Sequence, residues 1–152
     1  VHKSVGFDEN GHTKDCLVVY DYLKMVSGDK ISGSMQEYQV LGFMMTSLHN
    51  FAVRHDLPVL SFIQLNRDGI DREATDVVSG SDRIVWLTSN LSIFKPKSDE
   101  EIAEDGGEEH GNRKLVPLKC RHGEGLAGGD YINMQMEGKY ALIVEKSPLP
   151  LK

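Results

Sequence analysis

The feature that most constrains this chain is a short apolar run that ends in a single carboxylate. The run Leu17–Asp21 consists of four residues suited to a buried strand, followed by the acid and then by Tyr22-Leu23. Parallel α/β sheets deliver isolated acids in this way to the carboxyl edge of the sheet, where ligands bind. Asp21 is therefore the first candidate for chemistry.

A second strand-like run lies downstream, and a helical segment separates the two. Val59–Ile63 is apolar and is followed by Gln64-Leu65-Asn66-Arg67. Ser34 and Glu37 have the spacing of a capping box, which predicts a helix start, and Asp56 and Pro58 predict its end. The pattern indicates one right-handed βαβ unit with a polar tip on each strand.

The predicted helix carries an apolar stripe at helical spacing, which favours packing against the sheet over a cofactor-binding role. The stripe consists of Tyr38, Leu41, Met45, Leu48 and Ala52, widened by Phe43, Met44 and Phe51.

The rest of the chain predicts an antiparallel edge to the sheet. Ser79–Thr88 is ambiguous, because its centre has strand propensity while its start resembles a helix start. Short strands are predicted after it, and the sheet is expected to end in antiparallel pairs. They span Leu91–Phe94, Lys114–Arg121, Tyr131–Met136 and Tyr140–Val144.

Charge is concentrated in one segment. The chain has 152 residues and a formal net charge of −6, and seven carboxylates lie between Ser98 and Gly111. With few apolar residues, this segment is expected to be a mobile loop; a Glu and Asp metal site is the alternative, although the run lacks the spacing of a calcium loop. The remainder is near neutral, so net charge neither demands nor excludes nucleic-acid binding.

The chain is expected to be a soluble, cytoplasmic, globular domain. Its apolar runs are too short to cross a bilayer, and its two cysteines imply no disulfide framework. Its start without methionine suggests a fragment. We expect residues 1–146 to be one part of a larger domain and residues 147–152 to be a loose tail.

Few site chemistries suit the residues present. The Gly-rich stretch near Gly125 lacks the Gly-Lys-Ser/Thr of a phosphate loop, and Cys120 with His122 and His110 does not match a structural zinc site. Asp21 could hold a nucleotide's magnesium ion or could equally be a strand-end cap or an ion-pair partner.

Four segments in order resemble the motifs of DnaB-type replicative helicases. Leu17–Leu23 resembles the Walker B strand, in which Tyr-Leu follows the acid, and Phe62–Arg67 resembles the third motif, which ends in Gln-Leu-Asn-Arg. Ser79–Ser81 is similar to a Ser-Gly-Ser segment, and Lys119–Gly123 is similar to a Lys-x-Arg-x-Gly motif. The similarity covers the chain from Leu17 to about Val144, and the extended loop is more like phage-encoded members.

The resemblance implies a RecA-like α/β fold and an ATP site that uses Mg²⁺. Asp21 would position the metal, Gln64 would sense the γ-phosphate, and Lys119 and Arg121 would reach the phosphates of a neighbouring subunit, with Arg121 as the arginine finger. An arginine finger is worth roughly 10³ to 10⁵ in turnover.

The resemblance also implies contacts with single-stranded DNA. The loop of residues 68–80 would hold the strand, through Arg67, Arg72 and the backbone of Ser79 and Gly80, and the following segment would be a helix. Val77-Val78 stands where the family often has Arg-Glu, which removes one expected side-chain contact.

Two parts of the expected site are absent from the sequence. No Gly-x-x-x-x-Gly-Lys-Ser/Thr is present, nor is the upstream strand that carries the catalytic glutamate. The chain is thus expected to be the C-terminal part of a motor that forms a hexamer, with a primase as a possible partner, in a bacterial or phage-infected cell. A RecA or KaiC-like ATPase without unwinding activity, or a non-catalytic RecA-like module, are the alternatives.

Overall fold

The computed structural model describes residues 5–12, 14–24, 36–65, 73–75, 82–123, 126 and 129–146. The chain forms two compact units, Val1–Thr88 and Ser89–Lys152. Within the described residues, no helix is both long and apolar enough to cross a membrane. The two units are taken in turn below.

The first unit contains a two-stranded parallel sheet. Strand β1 spans Val18–Leu23 and strand β2 spans Val59–Ile63. The register pairs Val18 with Val59 and Tyr20 with Ser61, then shifts before Leu23 meets Ile63. The predicted βαβ unit is confirmed, and β1 continues two residues beyond the expected end at Asp21.

One long helix, α1, joins the two strands and spans Glu37–His55. The N–H of Gln36 donates to Oε1 of Gln39 at 2.9 Å, which caps the first turn. The predicted cap at Ser34 lies outside the described residues. The helix ends at Asp56 as predicted, where the backbone is left-handed with φ 49° and the N–H of Leu57 donates to the carbonyl of Ala52 at 3.0 Å.

The apolar stripe of α1 is only partly buried. Leu41 is 3% exposed, whereas Tyr38 and Phe43 are about half exposed. The ring of Phe43 lies 5.0 Å from the guanidinium of Arg83, on helix α2 (Asp82–Leu87). The pattern therefore locates the helix correctly but overstates how much of its apolar face is covered. The ambiguous segment before Thr88 is helical over α2.

The second unit is a four-stranded antiparallel sheet in the order β3-β4-β5-β6, which confirms the predicted antiparallel strands. The strands span Asn90–Pro96, Arg113–Cys120, Ile132–Glu137 and Leu142–Glu145. Ile93 and Val116 are register partners and are buried, so the core of this unit lies on one face of β3 and β4.

The acidic segment is helical, so the expectation of a loop is wrong. Helix α3 spans Asp99–Glu104, capped by Ser98, and a 3-10 turn spans Glu108–His110. The N–H of Glu101 donates to the Ser98 hydroxyl at 3.2 Å.

The error has an electrostatic cause. Nζ of Lys97 donates to Oδ2 of Asp105 at 2.6 Å, and Nζ of Lys114 pairs with Glu101. Both lysines are buried, with side chains 0% and 4% exposed. A composition-based expectation counts only apolar burial, whereas this segment is held by charge pairs that the strands supply.

Gly111 connects the acidic segment to β4 and cannot be replaced freely. Its φ is 106°, and a Cβ at this position would lie 2.6 Å from the carbonyl oxygen of Met134. The backbone of β5 therefore approaches the chain where only glycine fits.

Candidate nucleotide site

Asp21 lies in β1 near the carboxyl edge of the parallel sheet. Its side chain is exposed, and it occupies the irregular stretch between the register pairs Tyr20–Ser61 and Leu23–Ile63. The Ser61 hydroxyl donates to the carbonyl of Tyr20 at 3.1 Å, which ties the two strands together immediately before Asp21. Sequence reasoning missed Ser61; the signal was a hydroxyl inside an otherwise apolar strand.

Gln64 follows the last residue of β2 and is also exposed. Because β1 and β2 are parallel, their carboxyl ends meet at one edge of the sheet, and the two strands bring Asp21 and Gln64 to that edge. A carboxylate beside an amide that can both donate and accept suits a hydrated or phosphate-bearing ligand.

Lys119 and Arg121 lie in the second unit, at the end of β4. The N–H of Arg121 donates to the carbonyl of Ser89 at 2.9 Å, which continues the β3–β4 ladder one step past Cys120. Burial lowers the pKa of Lys119, and the charge of Arg121 lowers it further. The two cations are therefore close enough to repel each other, which favours an anion between them.

The four residues expected to contact DNA lie outside the described residues. They are Arg67, Arg72, Ser79 and Gly80. Arg83, a further cation of that region, is described and lies against the ring of Phe43.

A metal ion at this edge would have to rely on Asp21 alone among the protein carboxylates. Nowhere in the described part of the chain do three His, Cys, Asp or Glu side chains converge. One carboxylate fits magnesium, which usually keeps several waters and binds one or two carboxylates together with substrate phosphates. The residues present therefore fit a magnesium nucleotide but not a metal cage made only of protein ligands.

A cavity of about 390 Å³ lies at the opposite edge, where β1 and β2 begin. Its lining is mixed and polar, and it includes Lys14, Asp15, Cys16, Leu17, Asp56, Leu57 and Pro58. Ligands of open α/β sheets bind at the carboxyl ends of the strands, so we place the candidate site at Asp21 and Gln64 rather than in this cavity.

No protein-family model and no curated protein matches the chain. Its fold is similar to a solved structure, the ATPase domain of a DnaB-type replicative helicase, with a TM-score of 0.64 and 16% identity. The match covers 86% of this chain and 44% of that chain. The predicted RecA-like α/β fold is confirmed, and the chain spans less than half the length of the structure it matches.

Proposed function

We propose that this chain is the C-terminal part of the ATP-dependent motor of a DnaB-type replicative helicase. The observation that carries the proposal is the placement of Asp21 and Gln64 at the carboxyl edge of adjacent parallel strands. The RecA-like fold and the order of the four motifs support it.

In this proposal the two strand tips divide the work at the nucleotide. Asp21 holds the magnesium ion, directly or through water, and so positions the β- and γ-phosphates of ATP. Bound magnesium supplies positive charge that offsets the charge developing on the phosphates. Gln64 hydrogen-bonds the γ-phosphate or the attacking water, because its amide both donates and accepts.

Lys119 and Arg121 act on the nucleotide of a neighbouring subunit. Burial lowers the pKa of Lys119 and repulsion by Arg121 lowers it further, and an anion between the two cations relieves that repulsion. Arg121 stabilises the charge of the transferring phosphoryl group, the role of an arginine finger. The proposal therefore requires self-association, as a hexameric ring around single-stranded DNA.

Coupling to DNA runs through the segment after Gln64. A change in the hydrogen bonds of Gln64 on hydrolysis shifts the loop of residues 68–80, where Arg67, Arg72, Ser79 and Gly80 hold the phosphates of the strand. Repetition around the ring moves the strand and separates the duplex.

The polypeptide encoded upstream would supply the phosphate-binding lysine and the catalytic glutamate. This sequence has no Gly-Lys-Ser/Thr. We therefore expect no ATP hydrolysis by these 152 residues alone. A non-catalytic RecA-like module that regulates an intact helicase is the second candidate, and the same missing motif favours it.

The test is DNA-stimulated ATPase activity of the chain extended upstream. Asp21→Asn and Gln64→Ala should each reduce turnover at least about 100-fold, because each removes a contact made to the phosphates in the transition state. Asp15→Asn is the matched control: an exposed acid at the opposite end of β1 should leave turnover unchanged.

The arginine finger is tested separately. Arg121→Ala should reduce turnover roughly 10³-fold or more. Normal DNA-stimulated ATPase in that variant would refute the role of Arg121, and no turnover in the unaltered extended protein would favour the regulatory module.

A further inference from the structure

One face of the parallel sheet carries exposed apolar side chains. Val19 and Leu60 are register partners and therefore share a face, Phe62 follows Leu60 by two residues, and Leu17 precedes Val19 by two. Their exposed fractions are 58% for Leu17, 56% for Val19, 45% for Leu60 and 48% for Phe62. We call these four residues the open face.

The other side of the same strands is better covered. Val59, Ser61 and Ile63 alternate with the open-face residues of β2 and are half-buried, and Leu23, the partner of Ile63, is 4% exposed. Parallel sheets occur almost only with both faces covered, since their crossovers place helices on the two sides. The open face is thus half of a contact whose other half lies outside the described residues.

We propose that the open face is the docking surface for an amphipathic helix of the polypeptide that supplies the phosphate-binding loop. This inference rests on the proposed function. The matched ATPase domain extends well beyond the 44% that this chain covers, so a domain of that kind has ample further chain to cover the sheet. A sheet face without charged side chains suits an apolar helix face better than a nucleic acid or a polar ligand.

The direction of the strands orients the occupant. A helix that follows a parallel strand starts at the carboxyl edge of the sheet and runs back across its face. Its amino terminus, the end that binds phosphate, would therefore lie beside Asp21 and Gln64. The open face then does more than bury apolar surface: it sets where the phosphate-binding loop stands relative to the Asp21 carboxylate.

Cysteine labelling tests this surface directly. Leu60→Cys, Phe62→Cys and Leu17→Cys are made singly in a background in which Cys16 and Cys120 are serine. The rate of reaction with a water-soluble maleimide is measured without nucleotide, in the 152-residue chain and in the chain extended by the segment encoded upstream. Glu104→Cys on the exposed side of α3 is the control.

We expect all four thiols to react at similar rates in the 152-residue chain. In the extended protein, the three open-face thiols should react at least about ten times more slowly, because only local opening exposes them, while the control is unchanged. Circular dichroism identifies any variant that fails to fold, and the remaining open-face positions then decide the result.

Two results would overturn the inference. Equal labelling in both proteins would show that the extension does not cover the face. Slow labelling in the 152-residue chain would show that the face is already covered, and light scattering would then reveal whether a second copy covers it. Protection without ATP turnover would retain the docking surface and remove the motor function, whereas turnover without protection would do the reverse.

Discussion

The two sheets of this protein solve opposite problems. The parallel sheet β1–β2 exposes apolar side chains, with Val19 and Leu60 about half exposed, whereas the antiparallel sheet β3–β6 buries the charged Lys97 and Lys114. The first sheet has too little protein around it to use its apolar surface, and the second has enough to neutralise cations within it. The difference indicates that the second unit is close to self-sufficient and that the first is one side of a larger core.

Breaking the buried charge pair should have the largest effect on stability. Asp105→Ala leaves the fully buried ammonium of Lys97 without its carboxylate and should destabilise the chain by about 3 kcal/mol or more. Urea unfolding followed by circular dichroism measures the loss, and hydrogen exchange should place it in the strands of the second unit. Glu104→Ala, an exposed acid of the same segment, should change stability by less than about 0.5 kcal/mol. An equal effect of both variants would mean that α3 contributes only bulk charge.

Truncating apolar side chains compares the two sheets most directly. Ile93→Ala removes a side chain that is 2% exposed and should cost about 2 to 4 kcal/mol. Leu60→Ala, at 45% exposure, should cost less than about 1 kcal/mol in the chain on its own, because much of the side chain is already in water. In the upstream-extended protein the cost of Leu60→Ala should rise toward that of Ile93→Ala. Equal costs of Leu60→Ala in the short and extended proteins would contradict the contrast between the sheets.

The glycine between the acidic segment and β4 should be the next most sensitive position. Gly111→Ala requires a residue with a side chain at φ 106° and places its Cβ 2.6 Å from the Met134 carbonyl oxygen. We expect a loss of about 1 to 3 kcal/mol, measured by urea unfolding. Gly6→Ala is a suitable control, because its φ is also positive but no atom lies within 4 Å of the added Cβ. A smaller loss at Gly111 than at Gly6 would show that β5 yields easily.

The smallest effect should be a pH dependence that arises from Tyr131. Burial raises the pKa of its hydroxyl well above the ordinary value, as do its hydrogen bond to Asp105 at 3.0 Å and the nearby carboxylates. The folded state therefore keeps its proton at a pH where the unfolded chain has lost it, and stability falls as the pH rises above about 10. At one unit above that value the loss should be about 1 kcal/mol.

Tyr131→Phe isolates this contribution. Its stability should fall less steeply between about pH 9 and pH 11 than that of the unaltered chain. Identical slopes in urea unfolding would mean that the hydroxyl titrates normally.

Sequence reasoning succeeded where the deciding interactions are local. The bounds of β2 and the end of α1 follow from an apolar run and from Asp56 with Pro58, which act within a few residues. It failed at α3, because Lys97 and Lys114 lie on different strands and nothing in the spacing shows that they meet the carboxylates of Glu101 and Asp105.

The candidate site was only partly accessible to the same reasoning. Periodicity locates Asp21 and Gln64 at strand ends, because parallel strands share an edge. The strand-to-strand hydrogen bond of Ser61 depends on the register, and register is a tertiary property that a single sequence does not fix. The roles of Lys119 and Arg121 follow from family resemblance and await the variants above.

The charge pairs beneath α3 also shape the electric field around the protein. Glu101 and Asp105 are neutralised by buried lysines, while five other carboxylates of the segment point into solvent: Asp99, Glu100, Glu104, Glu108 and Glu109. The negative potential of the chain is therefore concentrated on this one patch rather than spread over its surface. A polyanion such as DNA would be repelled there at low salt, which restricts the approaches from which it can reach the molecule.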